Sequence, residues 1–184
     1  MKNKIFLVAD LHFGHKNMIK FSKTSRGMFN DVEHMNETII QNWNNVVGKD
    51  DIVYLLGDIS HSIKGKDTRK LLERLNGRII LIKGNHDKNK DINKYKDLLE
   101  EVDNYKEIKY LYENKYYHII LSHYPFGTWN RSFQGSIMCH GHSHGRYIAE
   151  GKIFDVGIDS NVGGFEPLNI DFIIEESKKL ETIH

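Results

Sequence analysis

The chain has 184 residues, of which 39% are hydrophobic and 28% charged, and its formal net charge is +1. This length is typical of a single domain over residues 1–184, and the composition excludes a membrane bundle and a largely disordered chain. The low net charge argues against an extended nucleic-acid or anionic-lipid surface, although a local basic rim is compatible with it. The lone cysteine, Cys139, excludes an internal disulfide, and no apolar run has membrane length, so we expect a cytoplasmic protein without a membrane partner.

Taken in chain order, short apolar runs predict five strands that are covered on both faces. The runs occupy residues 5–9, 52–56, 79–82, 119–121 and 137–139. Each of them passes within three residues into histidine, aspartate or asparagine. Ligands of open α/β sheets gather at the carboxyl ends of the strands, so we expect these polar residues to meet at one edge.

Two helices are predicted in the first half of the chain, from apolar residues at three- and four-residue spacing. Asp31 is the predicted N-cap of a helix whose apolar residues recur from Val32 to Val46. Asp67 is the predicted N-cap of a second helix, which Gly77 stops. Alternation of strands and helices in this half predicts parallel strand pairs.

The second half of the chain predicts antiparallel additions to this pattern. Residues 105–111 and 116–121 predict a hairpin that turns at residues 113–114. Residues 91–102 and 170–181 have helical spacing and predict one helix before the hairpin and one at the end of the chain.

Five polar blocks follow the predicted strands, and seven of the chain's eleven histidines lie in or beside the loops that contain them. Taken singly, each block has an ordinary explanation as a helix cap, a tight turn or a solvated loop. Together, and each at the end of a strand, they favour metal or acid–base chemistry over chance. The blocks are Asp10-x-His12, Gly57-Asp58, Gly84-Asn85-His86-Asp87, His123 and Gly141-His142-x-His144.

This series resembles the five blocks of the calcineurin-like metallophosphoesterases, in the family's order, over residues 10–144. The string at residues 10–15, with residues 35–37 and 43–44, is similar to a small cap-less branch found in bacteria and phages. The resemblance implies an α/β fold, a four-layer α/β/β/α sandwich of two mixed sheets with flanking helices. It also implies a dinuclear metal site at the carboxyl ends of the strands.

The same resemblance implies two metal ions that share the Asp58 carboxylate. The implied ligands are Asp10, His12, Asp58 and His144 for one ion, and Asp58, Asn85, His123 and His142 for the other. Oxygen and imidazole ligands without thiolate suit divalent manganese, our first expectation, and also iron, zinc, nickel or cobalt. Two carboxylates offset only part of the charge on two divalent ions, so a loaded site would attract phosphate.

The remaining site residues are implied or weighed with less support from the pattern. By resemblance His86 protonates the leaving oxygen and Asp87 orients it. His15 and Arg26, in the basic insert over residues 13–30, are expected to bind substrate, with a solvated loop as the alternative. Many family members have an acidic residue where this chain has His61, which is either a rim residue or a plain surface histidine.

The expected function is hydrolysis of phosphodiester or phosphomonoester bonds in small substrates, nucleotides among them, through a metal-bridging hydroxide. Two other classes stay open. A nuclease would need a surface that follows a nucleic-acid backbone, and a non-catalytic scaffold would need no complete set of ligands. The sequence leaves the substrate, the native metal and the oligomeric state undetermined.

Overall fold

Nine strands and five helices are present in the computed structural model, which describes residues 3–22, 25–160 and 162–182. The strands are β1 (Ile5–Val8), β2 (Ile52–Leu55), β3 (Arg78–Ile82), β4 (Leu99–Asp103), β5 (Tyr105–Tyr112), β6 (Lys115–Ser122), β7 (Ile137–His140), β8 (Ile153–Asp155) and β9 (Leu168–Asn169). The helices are α1 (Met18–Phe21), α2 (Val32–Val46), α3 (Gly65–Leu72), α4 (Asn89–Ile92) and α5 (Ile170–Ser177). Within these ranges no helix is both long and apolar enough to cross a membrane.

Two mixed sheets form the centre of the fold, as predicted. The first sheet has the order β4-β3-β2-β1-β9, with β9 antiparallel to β1 and the other pairs parallel. The second has the order β5-β6-β7-β8, in which only β5 and β6 are antiparallel. Their hairpin turns at Glu113 and Asn114, both with positive φ, which is typical of a two-residue turn between twisted strands.

Alternation along the central strands explains why these strands are apolar on both faces. In β1, Phe6 and Val8 pack towards the helices, whereas Leu7 and the following Ala9 pack towards the second sheet. The outer face of the second sheet is covered in part by Trp129, in a loop rather than a long helix. Both α/β and β/β interfaces are therefore dry, which fixes the strand ends relative to one another.

Helix α2 begins and ends as predicted. Its start is fixed by the Asp31 side chain, which accepts a hydrogen bond from the main-chain N–H of His34. The prediction that Asp67 is the N-cap of the second helix was wrong. Helix α3 begins three residues earlier, after Lys64, and Asp67 lies in its first turn, where an acidic side chain also suits the helix dipole. The final helix, α5, ends at Ser177 rather than at residue 181, and Asn169 caps it.

The helix predicted for residues 91–102 was wrong over most of its length. Helix α4 ends at Ile92, a 3₁₀ turn covers Lys96–Leu98, and the chain then forms β4 at the sheet edge. Leu99 and Val102 pack partly buried against the helix-side core, while the glutamates between them face solvent. Short edge strands with charged residues carry a weak alternating pattern, which explains the error.

We expect Trp43 in α2 to dominate the stability of the helix-side core. It is fully buried, and its indole N–H donates to the Asn76 carbonyl at 2.9 Å. Trp43→Ala should lower the free energy of unfolding by about 3–5 kcal/mol, in urea denaturation followed by far-UV circular dichroism. Trp43→Phe should lower the free energy of unfolding by less, since it loses chiefly one hydrogen bond. The exposed Phe172 serves as the control, and an equal effect of Phe172→Ala would contradict this assignment.

Candidate metal centre

The candidate centre lies where hydrogen bonding between β1 and β2 continues past the ends of both strands. The N–H of Asp10 donates to the Gly57 carbonyl and that of His12 to the Asp58 carbonyl, both at 3.0 Å. Five site residues at this edge adopt left-handed backbone conformations, which are uncommon for residues other than glycine. These residues are Asp10, His12, Asp58, His142 and His144.

One cluster consists of Asp10, His12 and His144, whose potential ligand atoms lie within 4.8 Å of one another. Asp10 Oδ1 and both ring nitrogens of His12 are buried and have no hydrogen-bond partner among the described residues. Asp10 Oδ2 accepts from the His142 main-chain N–H at 2.8 Å. Buried polar atoms are normally satisfied, so the unpartnered lone pairs of this cluster fit a bound cation.

The second cluster consists of Asp58, His123 and His142, again within 4.8 Å, with Asn85 beside it. His123 Nδ1 lies 2.8 Å from the Leu56 carbonyl, to which it must donate its proton. Nε2 then offers a lone pair, yet it lies 3.0 Å from Asn85 Oδ1, also an acceptor as the amide is oriented. Facing acceptors are disfavoured in the absence of a cation, so the donor set of this cluster also fits a metal.

Asp58 stands between the two clusters. Its Oδ2 atom lies 3.7 Å from His12 Nε2, 3.6 Å from His123 Nε2 and 3.8 Å from His86 Nε2. Its Oδ1 atom accepts from the His86 main-chain N–H at 2.9 Å. One buried carboxylate oxygen thus lies among imidazole nitrogens of both clusters.

Burial sets the electrostatics of the centre. Removal from water raises the pKa of Asp10 well above its usual range and lowers the pKa of His12 well below its own. Desolvation also lowers the pKa of His123, and the neighbouring Asp58 only partly opposes this. Imidazole in its neutral form is the metal-binding form, so burial holds His12 and His123 in the form that can coordinate.

Two glycines allow the loops after β2 and β3 to touch. A Cβ atom on Gly57, where φ is +89°, would lie 2.5 Å from the Gly84 nitrogen and 2.7 Å from His123 Nδ1. A Cβ atom on Gly84 would overlap the Asp58 carboxylate. No other residue fits either position, so the close approach that brings Asp58 to Asn85 and His123 requires glycine at both.

Three histidines line the open rim next to the two clusters. The rings of His15 and His61 stack with centroids 4.0 Å apart, and His61 meets His86 edge-on at 4.5 Å. Burial first, and the neighbouring His61 second, lower the pKa of His15 to about 4. His86 has a side chain 35% exposed, so it can reach both Asp58 and a bound substrate. His61 is therefore part of the rim, the first of the two alternatives for this residue.

Asp87 does not orient the His86 ring, and that prediction needs correction. Its Oδ2 accepts from the N–H groups of Asp58 and Gly84 at 2.7 and 2.9 Å, and its Oδ1 from Ile59 at 3.1 Å. Burial nevertheless raises the pKa of this carboxyl to about 6. Asp87 therefore ties the loop after β2 to the loop after β3 and acts through the main chain.

Arg26 is the second correction, because its guanidinium does not face a substrate. The side chain is 0% exposed, and it donates to the carbonyls of Asp10 (2.6 Å) and Leu11 (3.0 Å) and to Asp159 Oδ2 (2.9 Å). The other Asp159 oxygen lies 3.0 Å from His144 Nδ1. Although burial opposes it, this contact raises the pKa of His144, and together with Arg26 it holds that of Asp159 well below its usual range.

Asp159 contacts the centre, and sequence reasoning did not identify it as a site residue. The residue lies in a turn, and its buried carboxylate fixes the orientation of His144 through Nδ1 and leaves Nε2 for coordination. Its partner Arg26 lies 133 residues away, so no local pattern announces the pair. Asp155 has a similar supporting role, accepting from Ser143 and from the Gly145 N–H.

Arg26→Ala should damage the folded state and metal binding, not substrate affinity alone. It leaves Asp159 Oδ2 and two carbonyls without their buried donor, although Asp159 Oδ1 keeps its contact with His144, and the loss is about 3–5 kcal/mol for a buried pair. We expect lower unfolding free energy in metal-free buffer, and lower metal occupancy by mass spectrometric metal analysis. Arg78→Ala, which removes a surface ion pair with Glu100, is the matched control with an effect below about 1 kcal/mol. A raised KM with parental stability and metal content would restore the substrate-contact interpretation.

Comparisons with known proteins agree with this geometry. Residues 3–156 match the profile of the calcineurin-like phosphoesterases. The chain is 37% identical over 190 residues to the uncharacterized protein MJ1445 of Methanocaldococcus jannaschii, covering 98% of this chain and 97% of that protein. It is 35% identical over 187 residues to the Gene 66 protein of Mycobacterium phage L5, covering 87% and 88%.

A solved structure supports the fold separately. The protein of unknown function AQ665 from Aquifex aeolicus superposes with a TM-score of 0.70 at 24% identity, over 95% of this chain and all of that one. At this identity the likeness concerns the fold alone. The family profile spans the five polar blocks from Asp10 to His144, and the phage relative fits the small branch suggested by the sequence. The chain belongs to the calcineurin-like phosphoesterase family.

Proposed function

We propose that the protein hydrolyses phosphate esters at a centre of two divalent metal ions. The observation that carries this proposal is the position of Asp58 Oδ2, within 3.6–3.8 Å of imidazole nitrogens from His12, His86 and His123. Unpartnered acceptors on Asp10 and His12 support it further. Two bound divalent cations would polarise the phosphoryl oxygens as Lewis acids and acidify the attacking water. Manganese is our first choice for these ions.

Among the chain's own residues, we assign the role of proton donor to His86. In hydrolysis the water oxygen bonds to phosphorus while the ester P–O bond breaks, and the leaving oxygen takes up a proton. His86 is half-exposed on the rim, 3.8 Å from Asp58, and its main chain is fixed by the Asp58 carboxylate. We assign to the His86 imidazolium the transfer of this proton.

The exposed rim favours small esters, nucleotides among them, over a long nucleic acid. His142 and His86 lie open to solvent beside buried ligands, so the centre is a shallow site. His15 stays a proposed substrate contact, because its ring lies at this rim against His61. A cytoplasmic location is part of the same proposal.

Asp58→Asn tests whether two ions share one carboxylate. Metal-free protein titrated with Mn²⁺ should bind about two ions, and the variant should bind fewer and lose most of its activity on bis-p-nitrophenyl phosphate. Removing one negative charge between two cations weakens both sites. The exposed Asp97, which pairs with Arg69 at the surface, gives the control Asp97→Asn with parental stoichiometry. Binding of a single ion by the parent protein, fresh and after reconstitution, would exclude the two-metal proposal.

His86→Asn tests the proton-transfer role. An alkyl leaving oxygen is strongly basic and needs the proton, whereas p-nitrophenolate leaves as a stable anion. Steady-state kinetics should therefore show a loss of about 10²–10⁴-fold on an alkyl phosphodiester and a clearly smaller loss on the nitrophenyl ester. Metal content should equal that of the parent.

The control for this experiment is His118→Asn, a strand histidine in β6 that contacts Arg131. Equal losses on both leaving groups in His86→Asn would show that His86 stabilises phosphoryl oxygens instead, and the proton-transfer assignment would be dropped.

A further inference from the structure

A groove rich in lysine leads away from the candidate centre on the side of His86. It has a volume of about 390 Å³ and continues into a second depression of about 380 Å³ that shares three of its lining residues. We call both together the lysine groove. His61 and His86 form its inner end, Tyr95 is buried along it, and its charged lining residues are Lys64, Lys66, Lys88, Lys90, Lys94 and Asp91.

The charge of the lysine groove is strongly one-sided, although the whole chain carries only +1. Five exposed lysines face a single carboxylate, Asp91. Within the described ranges none of these five ammonium groups forms an ion pair, whereas Lys70, also on α3, pairs with Asp67. Unpaired lysines around a concave surface raise the local concentration of anions.

The start of helix α3 lies at the same groove, where Lys64, Gly65 and Lys66 are lining residues. Lys64 precedes the helix with extended backbone and makes no side-chain cap, and Gly65 is the first helical residue. The first N–H groups of a helix lack intrahelical partners and carry part of the positive end of its dipole. Lysine side chains and this helix start therefore point to the same ligand chemistry, a phosphate.

We propose that the lysine groove binds a second phosphate, carried by the leaving group of the substrate. The inference rests on the proposed function, since it takes His86 to protonate the leaving oxygen and so places the leaving group on the His86 side. The substrates are then phosphodiesters that release a phosphorylated alcohol such as a nucleotide, rather than a simple aryl alcohol or a nucleoside. The combined volume is of the size that binds small molecules.

Dinucleotides test this inference in the manganese-loaded protein. Adenylyl-adenosine is compared with its forms bearing one terminal phosphate, at the 3′ end or at the 5′ end. One of these should be cleaved with a kcat/KM about 10- to 100-fold higher, as expected of one charge-assisted contact or two. Product analysis should find the terminal phosphate on the released alcohol. Preference for the isomer that keeps its terminal phosphate on the other product would overturn the proposal.

Charge-removing variants connect the preference to the groove. In Lys88→Ala combined with Lys90→Ala, the ratio of kcat/KM between the phosphorylated and plain dinucleotides should fall towards one. Lys70→Ala, which removes one ammonium group from α3 outside the lysine groove, should keep the parental ratio. In metal-free protein, titration calorimetry should show adenosine 3′,5′-bisphosphate binding more tightly than the 5′-monophosphate, and the double variant should lose the difference.

The outcomes separate the two proposals. Turnover of bis-p-nitrophenyl phosphate without any effect of a terminal phosphate would refute the groove inference and leave the proposed function standing. No turnover by protein loaded with two ions would refute the proposed function, while the calorimetry still tests the groove. If affinity rises only with strand length, up to a 12-nucleotide strand, and a single terminal phosphate adds nothing, the groove follows a nucleic acid and our inference is wrong.

Discussion

Main-chain hydrogen bonds beyond the ends of β1 and β2 are the constraint on which the candidate centre depends. The pairing with the loop after β2 continues through Asp10 and His12 to Phe13. Both main-chain groups of Ala9 also form hydrogen bonds with the segment after β8, since its N–H donates to Val156 and its carbonyl accepts from Ile158. The two sheets are thus joined by peptide groups at the site itself. Left-handed residues there are tolerated because the surrounding sheet leaves them no other conformation.

Much of this arrangement is predictable from local sequence, because it is encoded strand by strand. An apolar run followed at once by aspartate or histidine indicates both the buried strand and the polar loop, as at Asp10 and Asp58. The topology of parallel strands then places these loops together without further information. The two mixed sheets were predicted on this ground together with the family resemblance, and the hairpin from its own pattern.

Other parts of the centre depend on contacts that sequence spacing does not contain. The neighbour of His86 along the chain, Asp87, turns away from that ring and receives three main-chain N–H groups. Arg26 has a side chain of the type that binds phosphate, but it lies in the interior and forms an ion pair with Asp159. A charged residue that satisfies distant carbonyls cannot be distinguished from a surface charge until the fold brings its partners into view.

The average charge of the chain conceals how charge is distributed over its surface. Lysines of α3 and α4 lie together beside one end of the centre. Other lysines form ion pairs with Glu101, Glu175 and Glu176, which neutralise their charge. Net charge is a sum over the whole surface, so it bears on long-range attraction and says little about a single groove. Small ligands respond to the local field, which is screened over about 8–10 Å.

The contact between Gly57 and Gly84 has a consequence for how the centre can change. Since two peptide backbones meet there without side chains, the spacing between the loops is set by direct contact of main-chain atoms and does not depend on how side chains pack. Repacking the interior around Trp43, or drift in its apolar residues, then alters thermal resistance while the geometry of Asp58 and His123 stays the same. Substitutions in the core can therefore change the stability of the protein without changing the geometry of the candidate metal centre.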